Sequence, residues 1–297
     1  MAAGALLIWS GSAALTAAGT RALGVWPYVA MTTTLGGAVQ LAYYGLARRS
    51  VRVCFALPVQ LWLLTLFGFT LYGFVYPLSL WLSRTPAQLY GANLINYLWP
   101  VLTVLCALLW VPGTRGTWRL LLALALSLAG LALANRHALT TLTTPGQTSA
   151  GQHAGTPLPY LLAGIAALAW AVYSSVLARW RAWANRYATA PAGFLIVGAI
   201  AGGLALLTGR WPQLHGPDAM LAVLGGLGPC GTGYLLWELA LHRVPAAVLG
   251  LWAAATPVLS TLLLSLVTRQ WPDGALILGA LLIACAAVLS VLNRPER

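Results

Sequence analysis

The sequence predicts an all-α integral membrane protein of ten transmembrane helices, arranged as two five-helix repeats of opposite topology. Three observations carry that expectation. Of the 297 residues, 60% are hydrophobic and only 7% are charged, against about 25% charged in ordinary soluble proteins. Apolar runs of membrane-crossing length recur along the whole chain, and the second half echoes the first. The net charge of +12 does not point to nucleic acid, because a binding face needs its basic residues gathered on one surface. Here the arginines fall singly or in short groups between apolar runs. The lipid bilayer is the partner this composition demands.

A hydrocarbon core about 30 Å thick takes about 20 helical residues to cross. In order, the predicted spans are 3–20, 26–46, 58–82, 86–110, 118–135, 157–178, 190–208, 218–241, 245–268 and 273–292. The first lacks a positive region ahead of its apolar run, so it reads as a retained helix and not a cleaved signal. The third is read through Pro77 to residue 82, although Tyr76-Pro77 is also a place for a helix to end. The fourth and ninth each contain a proline, Pro100 and Pro257. Asp218 and Asp273 stand at the starts of the eighth and tenth, where a carboxylate caps the first turn. Glycines at 36–37, 198, 202–203 and 225–226 suit close helix contacts, with hinges as the other reading. Cys54, Cys106, Cys230 and Cys285 lie in or beside apolar runs without CxxC spacing, which argues against a disulfide framework or a zinc site.

With the N-terminus inside, Arg48, Arg49, Arg52, Arg115, Arg119, Arg179, Arg181, Arg186, Arg243, Arg294 and Arg297 face the cytoplasm. Arg21, Arg84, Arg136, Arg210 and Arg269 face the other side, so eleven of the sixteen basic residues are inside. This imbalance predicts a multi-pass inner (plasma) membrane protein with both termini cytoplasmic. The polar stretch 137–156, rich in Thr, Gly and Gln, then becomes an external flexible linker. It separates a first repeat, 1–136, from a second, 157–293.

The two repeats share local patterns. RTPA at Arg84–Ala87 precedes a helix containing LWPVLTVL, and RVPA at Arg243–Ala246 precedes one containing ATPVLSTL. LLIWSGSAAL from Leu6 matches LAWAVYSSVL from Leu168 through Trp9 and Trp170. An odd number of helices per repeat forces the halves to insert with opposite orientations, a transporter architecture that places the substrate near the midplane between them. With its ten-helix plan, its prolines in the fourth and ninth helices and the segments NYLWP, WAVYS and TPVLS, the chain resembles the EamA type of the drug/metabolite transporter superfamily, and within it the YddG group of aromatic amino-acid exporters. That resemblance implies secondary transport of amino acids, aromatic ones favoured, by alternating access through a central cavity, without a cofactor.

Candidate substrate-binding residues follow from the helix faces. Pro100 leaves the Asn96 carbonyl, and Pro257 the Ala253 carbonyl, without a helical partner. In lipid such a group must face protein or a water-filled cavity. Tyr90, Asn93 and Tyr97 share one face of the fourth helix, with Asn96 beside them; lining a cavity and clamping neighbouring helices are both open to these side chains. Trp170, Tyr173 and Ser174 share a face of the sixth helix, Tyr234 and Trp237 one of the eighth, and Tyr72, Tyr76 and Ser79 one of the third. Trp9 and Trp252 also lie well inside apolar segments. Aromatics near helix ends form interface belts, whereas these interior rings either pack the core or form a wall that stacks an aromatic ring and holds an ammonium. Glu238 is the one intramembrane carboxylate, open to proton coupling or to a local ion pair with His242 or Arg243.

Enzyme readings fail on the sequence. A phosphate-binding loop needs a lysine, and the chain has none. No nucleophile–base pair or second intramembrane acid accompanies Glu238. Export of another small metabolite or a cationic drug fits the same architecture, and a membrane scaffold is the reading from outside transport. Oligomeric state is not encoded in any of these features.

Overall fold

The computed structural model describes residues 2–47, 50–112, 116–136, 156–184, 186–209, 211–241 and 255–292. Every regular element among them is helical. Six helices are long and apolar enough to cross a membrane: Ala3–Leu23, Val59–Leu82, Pro86–Trp110, Leu158–Arg179, Thr189–Leu207 and Gly216–Trp237. Labelled in chain order with the remaining long helices, they are α1 (Ala3–Leu23), α2 (Val25–Leu46), α3 (Val59–Leu82), α4 (Pro86–Trp110), α5 (Trp118–Ala134), α6 (Leu158–Arg179), α7 (Thr189–Leu207), α8 (Gly216–Trp237), α9 (Thr256–Thr268) and α10 (Gly274–Val291). Trp118–Ala134 and Thr256–Thr268 are apolar but shorter than a full crossing. The predicted ninth span enters the described residues only from position 255.

Several of these helices are broken, each at an identifiable residue. At Gly11, flanked by two serines, α1 divides into Ala2–Ser10 and Ser12–Leu23, as Gly/Ser clusters allow. In α3 a π-helical turn, Leu66–Thr70, precedes Leu71–Leu82, which continues through Pro77. The helix therefore runs through Tyr76-Pro77, as read from the sequence, instead of ending there. A second π-helical turn, Gly226–Gly233, sits at the corresponding place in α8, which then continues as Tyr234–Leu241. In α4, Pro86–Asn96 gives way at Tyr97 and Leu98 to Trp99–Trp110, because Pro100 brings no N–H for the Asn96 carbonyl. α9 likewise has a proline, Pro257, in its first turn.

Small residues set the closest helix pairs. At the crossing of α5 and α10, a Cβ on Gly130 would lie 2.6 Å from the Gly279 carbonyl oxygen, and one on Gly279 would lie 2.6 Å from that of Gly130. Only hydrogen fits at either position. The pairing of α2 with α7 uses Gly198, where a Cβ would fall 2.2 Å from Thr34 Oγ1. Gly36 plays the same part between α2 and the α8 π-turn, 2.5 Å from Cys230 Cβ. Gly203 corrects the expectation of close packing, since nothing lies within 4 Å of its missing side chain; it faces away from the α2 contact.

The ends of the bundle carry the charge. At one end Thr85 caps α4 by accepting from the Gln88 N–H at 3.1 Å, and Arg136 at the end of α5 pairs with Asp273 at 2.7 Å. Asp273 also caps α10 through the Leu276 N–H at 2.8 Å. Asp218 lies in the first turn of α8, where it favours the helix dipole, but the N-cap itself is His215, without a side-chain cap. At the opposite end Arg179 donates to the Trp110 carbonyl, and Arg119 to that of Leu292 at 3.4 Å. None of the four cysteines is in a disulfide.

Candidate functional site

The candidate side chains assemble in two layers between the helices. The polar layer is a chain of amides and hydroxyls. Tyr76 on α3 donates its hydroxyl to Asn93 Oδ1 on α4 at 2.9 Å, and Asn93 Nδ2 donates to Ser260 Oγ on α9 at 3.1 Å. One turn along α4, Asn96 Nδ2 donates to the Tyr72 hydroxyl at 3.2 Å. Asn93 and Ser260 are fully buried, and Asn96 nearly so. In this conformation the asparagines hold α3, α4 and α9 together. Asn96 Oδ1 nevertheless has no hydrogen-bond partner, and an unpaired buried acceptor costs about 1–3 kcal/mol.

The aromatic layer radiates from Phe69, the buried ring of the α3 π-turn. Its centroid lies 5.6 Å from Trp170, 5.4 Å from Tyr173, 5.1 Å from Phe194 and 6.2 Å from Tyr234. Trp170 and Tyr173 stack at 5.0 Å. Trp9 extends the layer to α8, 5.1 Å from Tyr234 and 5.2 Å from Trp237. Tyr72 joins the layers, stacking on Tyr76 at 5.5 Å and tilting onto Trp170 at 5.2 Å. The result is one continuous wall from Trp237 to Asn93.

Glycines make this crowding possible. A Cβ on Gly68 would lie 2.5 Å from the Tyr173 ring, and one on Gly193 2.5 Å from the Phe69 ring. Tyr173 is fixed further by a 2.7 Å hydrogen bond between its hydroxyl and Thr189.

Of the expected site residues, Trp9, Tyr76, Asn93, Asn96, Trp170, Tyr173, Tyr234 and Trp237 belong to this wall. Tyr97, at the break in α4, packs in the core formed by α1, α3, α4, α6, α9 and α10 and joins the polar row through a hydrogen bond between its hydroxyl and Ser260. Ser174 is half-buried, outside the ring contacts. Tyr90 bonds to Thr268 and to the Gln270 carbonyl, both at 2.8 Å, at the end of α9. Trp252, His242, Arg243 and the Ala253 carbonyl lie outside the described residues. Glu238 follows Trp237 on the last helical segment of α8.

Four residues at the wall escaped the sequence reading. Phe69 and Phe194 are ordinary residues in apolar runs, and their signal was the glycine beside each. Ser260 was visible only inside TPVLS. Gln40, an amide in the middle of α2, was the plainest missed sign. It is fully buried, donates to the Cys230 carbonyl at 2.8 Å, and leaves its Oε1 without a partner. With Trp9 Nε1, which donates to the Pro229 carbonyl at 3.2 Å, it satisfies carbonyls of the α8 π-turn.

Comparison with known proteins decides the family. The chain is 33% identical over 300 residues to the aromatic amino acid exporter YddG of Ancylobacter novellus, covering 98% of this chain and 96% of that protein. The chain belongs to the EamA-like transporter family. Residues 157–292 match the EamA-like transporter family on their own. The proteins named aromatic amino acid exporter YddG in Escherichia coli K12 and Salmonella typhimurium are 26% and 25% identical, over 74% and 99% of this chain and 73% and 96% of theirs. A solved crystal structure superposes with a TM-score of 0.70 at 30% identity, over 97% of this chain and 94% of that one. This membership makes the chain a multi-pass membrane transporter and not an enzyme.

Proposed function

We propose that the chain exports amino acids, aromatic ones in preference, by alternating access between two inverted five-helix repeats, residues 1–136 and 157–293, with 137–156 as an external linker. The observation that carries this reading is the junction at Tyr72, where a wall of rings meets a row of buried amides. A zwitterion with an aromatic side chain asks for that combination. The ring needs apolar and stacking surface, worth about 0.5–1.5 kcal/mol per aromatic pair beyond area. Its ammonium needs acceptors and π-faces. Asn96 Oδ1 and Gln40 Oε1 are acceptors left unpaired in this conformation, and the Tyr72 and Trp170 rings stand next to the first. The names of the three relatives support the same substrate class.

The inverted repeat is supported by correspondences between the halves. π-Turns occur in α3 and α8, and prolines stand in the first turn of the second segment of α4 and of α9. The helix contacts exchange in the same way: α2 meets the α8 π-turn as α7 meets that of α3, and α1 meets α9 as α6 meets α4. Breaks at mid-helix are the irregular backbone that, at membrane depth, is tolerated where it is buried in protein or lines a cavity, and they support this reading. With both termini inside, the Arg119–Arg179 end is cytoplasmic and the Arg84–Arg136 end is external. Glu238 is the candidate for proton coupling.

Purified protein in liposomes tests the reading with labelled tryptophan, phenylalanine and alanine. The expected outcome is saturable flux with tryptophan and phenylalanine ahead of alanine. Flux indistinguishable from empty liposomes for all three would remove it.

A further inference from the structure

At the Arg84–Arg136 end of the bundle a cavity of about 420 Å³ opens between the end of α1, the α3–α4 turn and the end of α9. Two guanidinium-bearing residues, Arg21 and Arg84, line it, together with Trp81, Pro86, Val267 and Thr268. We infer that this vestibule is a second binding site, separate from the ring-and-amide wall, for the carboxylate of an amphipathic aromatic acid. The assignment to exported cargo rests on the export reading above; the anion site itself does not.

Charge is the first argument. The whole chain has four acidic residues against sixteen basic ones, and neither Asp218 nor Asp273, the two whose side chains the structure describes, lines the cavity. Asp273 is taken by Arg136, and Asp218 lies 3.9 Å from His215. Arg21 and Arg84 thus share one concavity without a protein carboxylate among its lining residues. A guanidinium presents a planar fork that matches a carboxylate with two parallel hydrogen bonds. Arg21 in the last turn of α1 also suits its own helix dipole, but that leaves its fork of donors unused.

Preorganisation is the second argument. The Arg84 backbone N–H donates to Gln88 Oε1 at 2.8 Å, while Gln88 Nε2 donates to the Thr156 carbonyl at 2.8 Å. This amide pins the α3–α4 turn to the start of α6, so Arg84 leaves a fixed backbone. Ser83 is held in the same way, its hydroxyl donating to the Ser79 carbonyl at 2.9 Å.

Position is the third. The indole of Trp81, Pro86 and Val267 give the cavity an apolar side for an aromatic ring. Thr268, also in its lining, is the residue that Tyr90 bonds at 2.8 Å. Along α4, Pro86 in the cavity lining and Asn93 in the amide row are about 10 Å apart by helical rise, with Tyr90 between them. A solute leaving the wall through this end passes the Tyr90–Thr268 contact and meets the two arginines next.

The probe for the site is 3-(indol-3-yl)propionate, which has the ring and carboxylate but no ammonium to engage the buried acceptors. Isothermal titration of the purified, detergent-solubilised full chain should show binding that weakens with added salt, as exposed charge pairs do. The double variant Arg21→Gln/Arg84→Gln should raise its Kd at least about tenfold, Arg84→Lys should cost less than Arg84→Gln, and thermal unfolding should confirm that each variant is folded. The inference is overturned if the wild type does not bind the acid, or if binding is lost in Asn96→Ala and kept in the arginine pair. It is equally overturned if short-chain phosphatidylglycerol binds through the arginines while the indole acid does not, which would give them to lipid headgroups. Arginine-dependent binding of the acid by a protein that moves no tryptophan would instead remove the export reading and leave the anion site in place.

Discussion

Asn93 and Asn96 lie three residues apart on α4, yet their amides do different work. Asn93 spends both ends of its side chain, on Tyr76 and Ser260, so Asn93→Ala leaves the buried Tyr76 hydroxyl unpaired at about 1–3 kcal/mol and takes one of two partners from Ser260, which also bonds Tyr97. Its thermal unfolding in detergent should fall measurably together with its flux. Asn96 spends only its N–H and keeps a free oxygen. Asn96→Ala should therefore lower tryptophan flux at least about tenfold, or about 1.4 kcal/mol, with a smaller loss of stability than Asn93→Ala. Equal stability losses with flux intact in Asn96→Ala would make both residues structural. For Glu238, Glu238→Gln keeps the shape and removes the titration, so pH-dependent flux should flatten while substrate still binds. An unchanged pH profile would exclude it from coupling.

At the scale of the helix, length and hydropathy were legible because a bilayer imposes both on the chain, and the ends of α2, α4, α6 and α7 fall within one residue of their expected positions. The two π-turns were not legible. They arise where an extra residue is taken into an otherwise regular helix, and LFGFT or GLGPCGTG read alone as flexible apolar sequence. The aromatic layer was half legible for a related reason. Trp9, Trp170 and Tyr234 stood out as amphipathic rings away from helix ends, whereas Phe69 and Phe194 look the same facing lipid or facing a site. Gly68 and Gly193 carried the missing information. Gly193→Ala would press a Cβ to 2.5 Å from the Phe69 ring, and overpacking of this kind costs about 1–3 kcal/mol. It should depress stability and aromatic flux together, whereas Gly203→Ala, with open space at its Cβ, should change neither. Differential scanning fluorimetry and flux on the same preparations decide it.

Across the whole molecule, the close α5–α10 crossing at Gly130 and Gly279 and the α2–α7 crossing at Gly198 bind the first half to the second, while the interrupted helices α1, α3, α4 and α8 meet α6, α7 and α9 at the wall. Helix pairs joined at glycine contacts, around elements with irregular backbone, are the arrangement that the proposed alternating access would use. The orientation of that arrangement is tested by Ser149→Cys in the 137–156 linker, which should react with a membrane-impermeant thiol reagent in intact cells; labelling only after lysis would reverse it. The central claim is that rings and amides in one wall select an aromatic zwitterion. Competition in proteoliposomes measures this most directly, with labelled tryptophan flux challenged by phenylalanine and by alanine in the wild type and in Trp170→Ala. The account predicts that phenylalanine competes better than alanine in the wild type and that Trp170→Ala narrows the gap between them. Equal competition by phenylalanine and alanine in the wild type, or a gap that Trp170→Ala leaves unchanged, would contradict it.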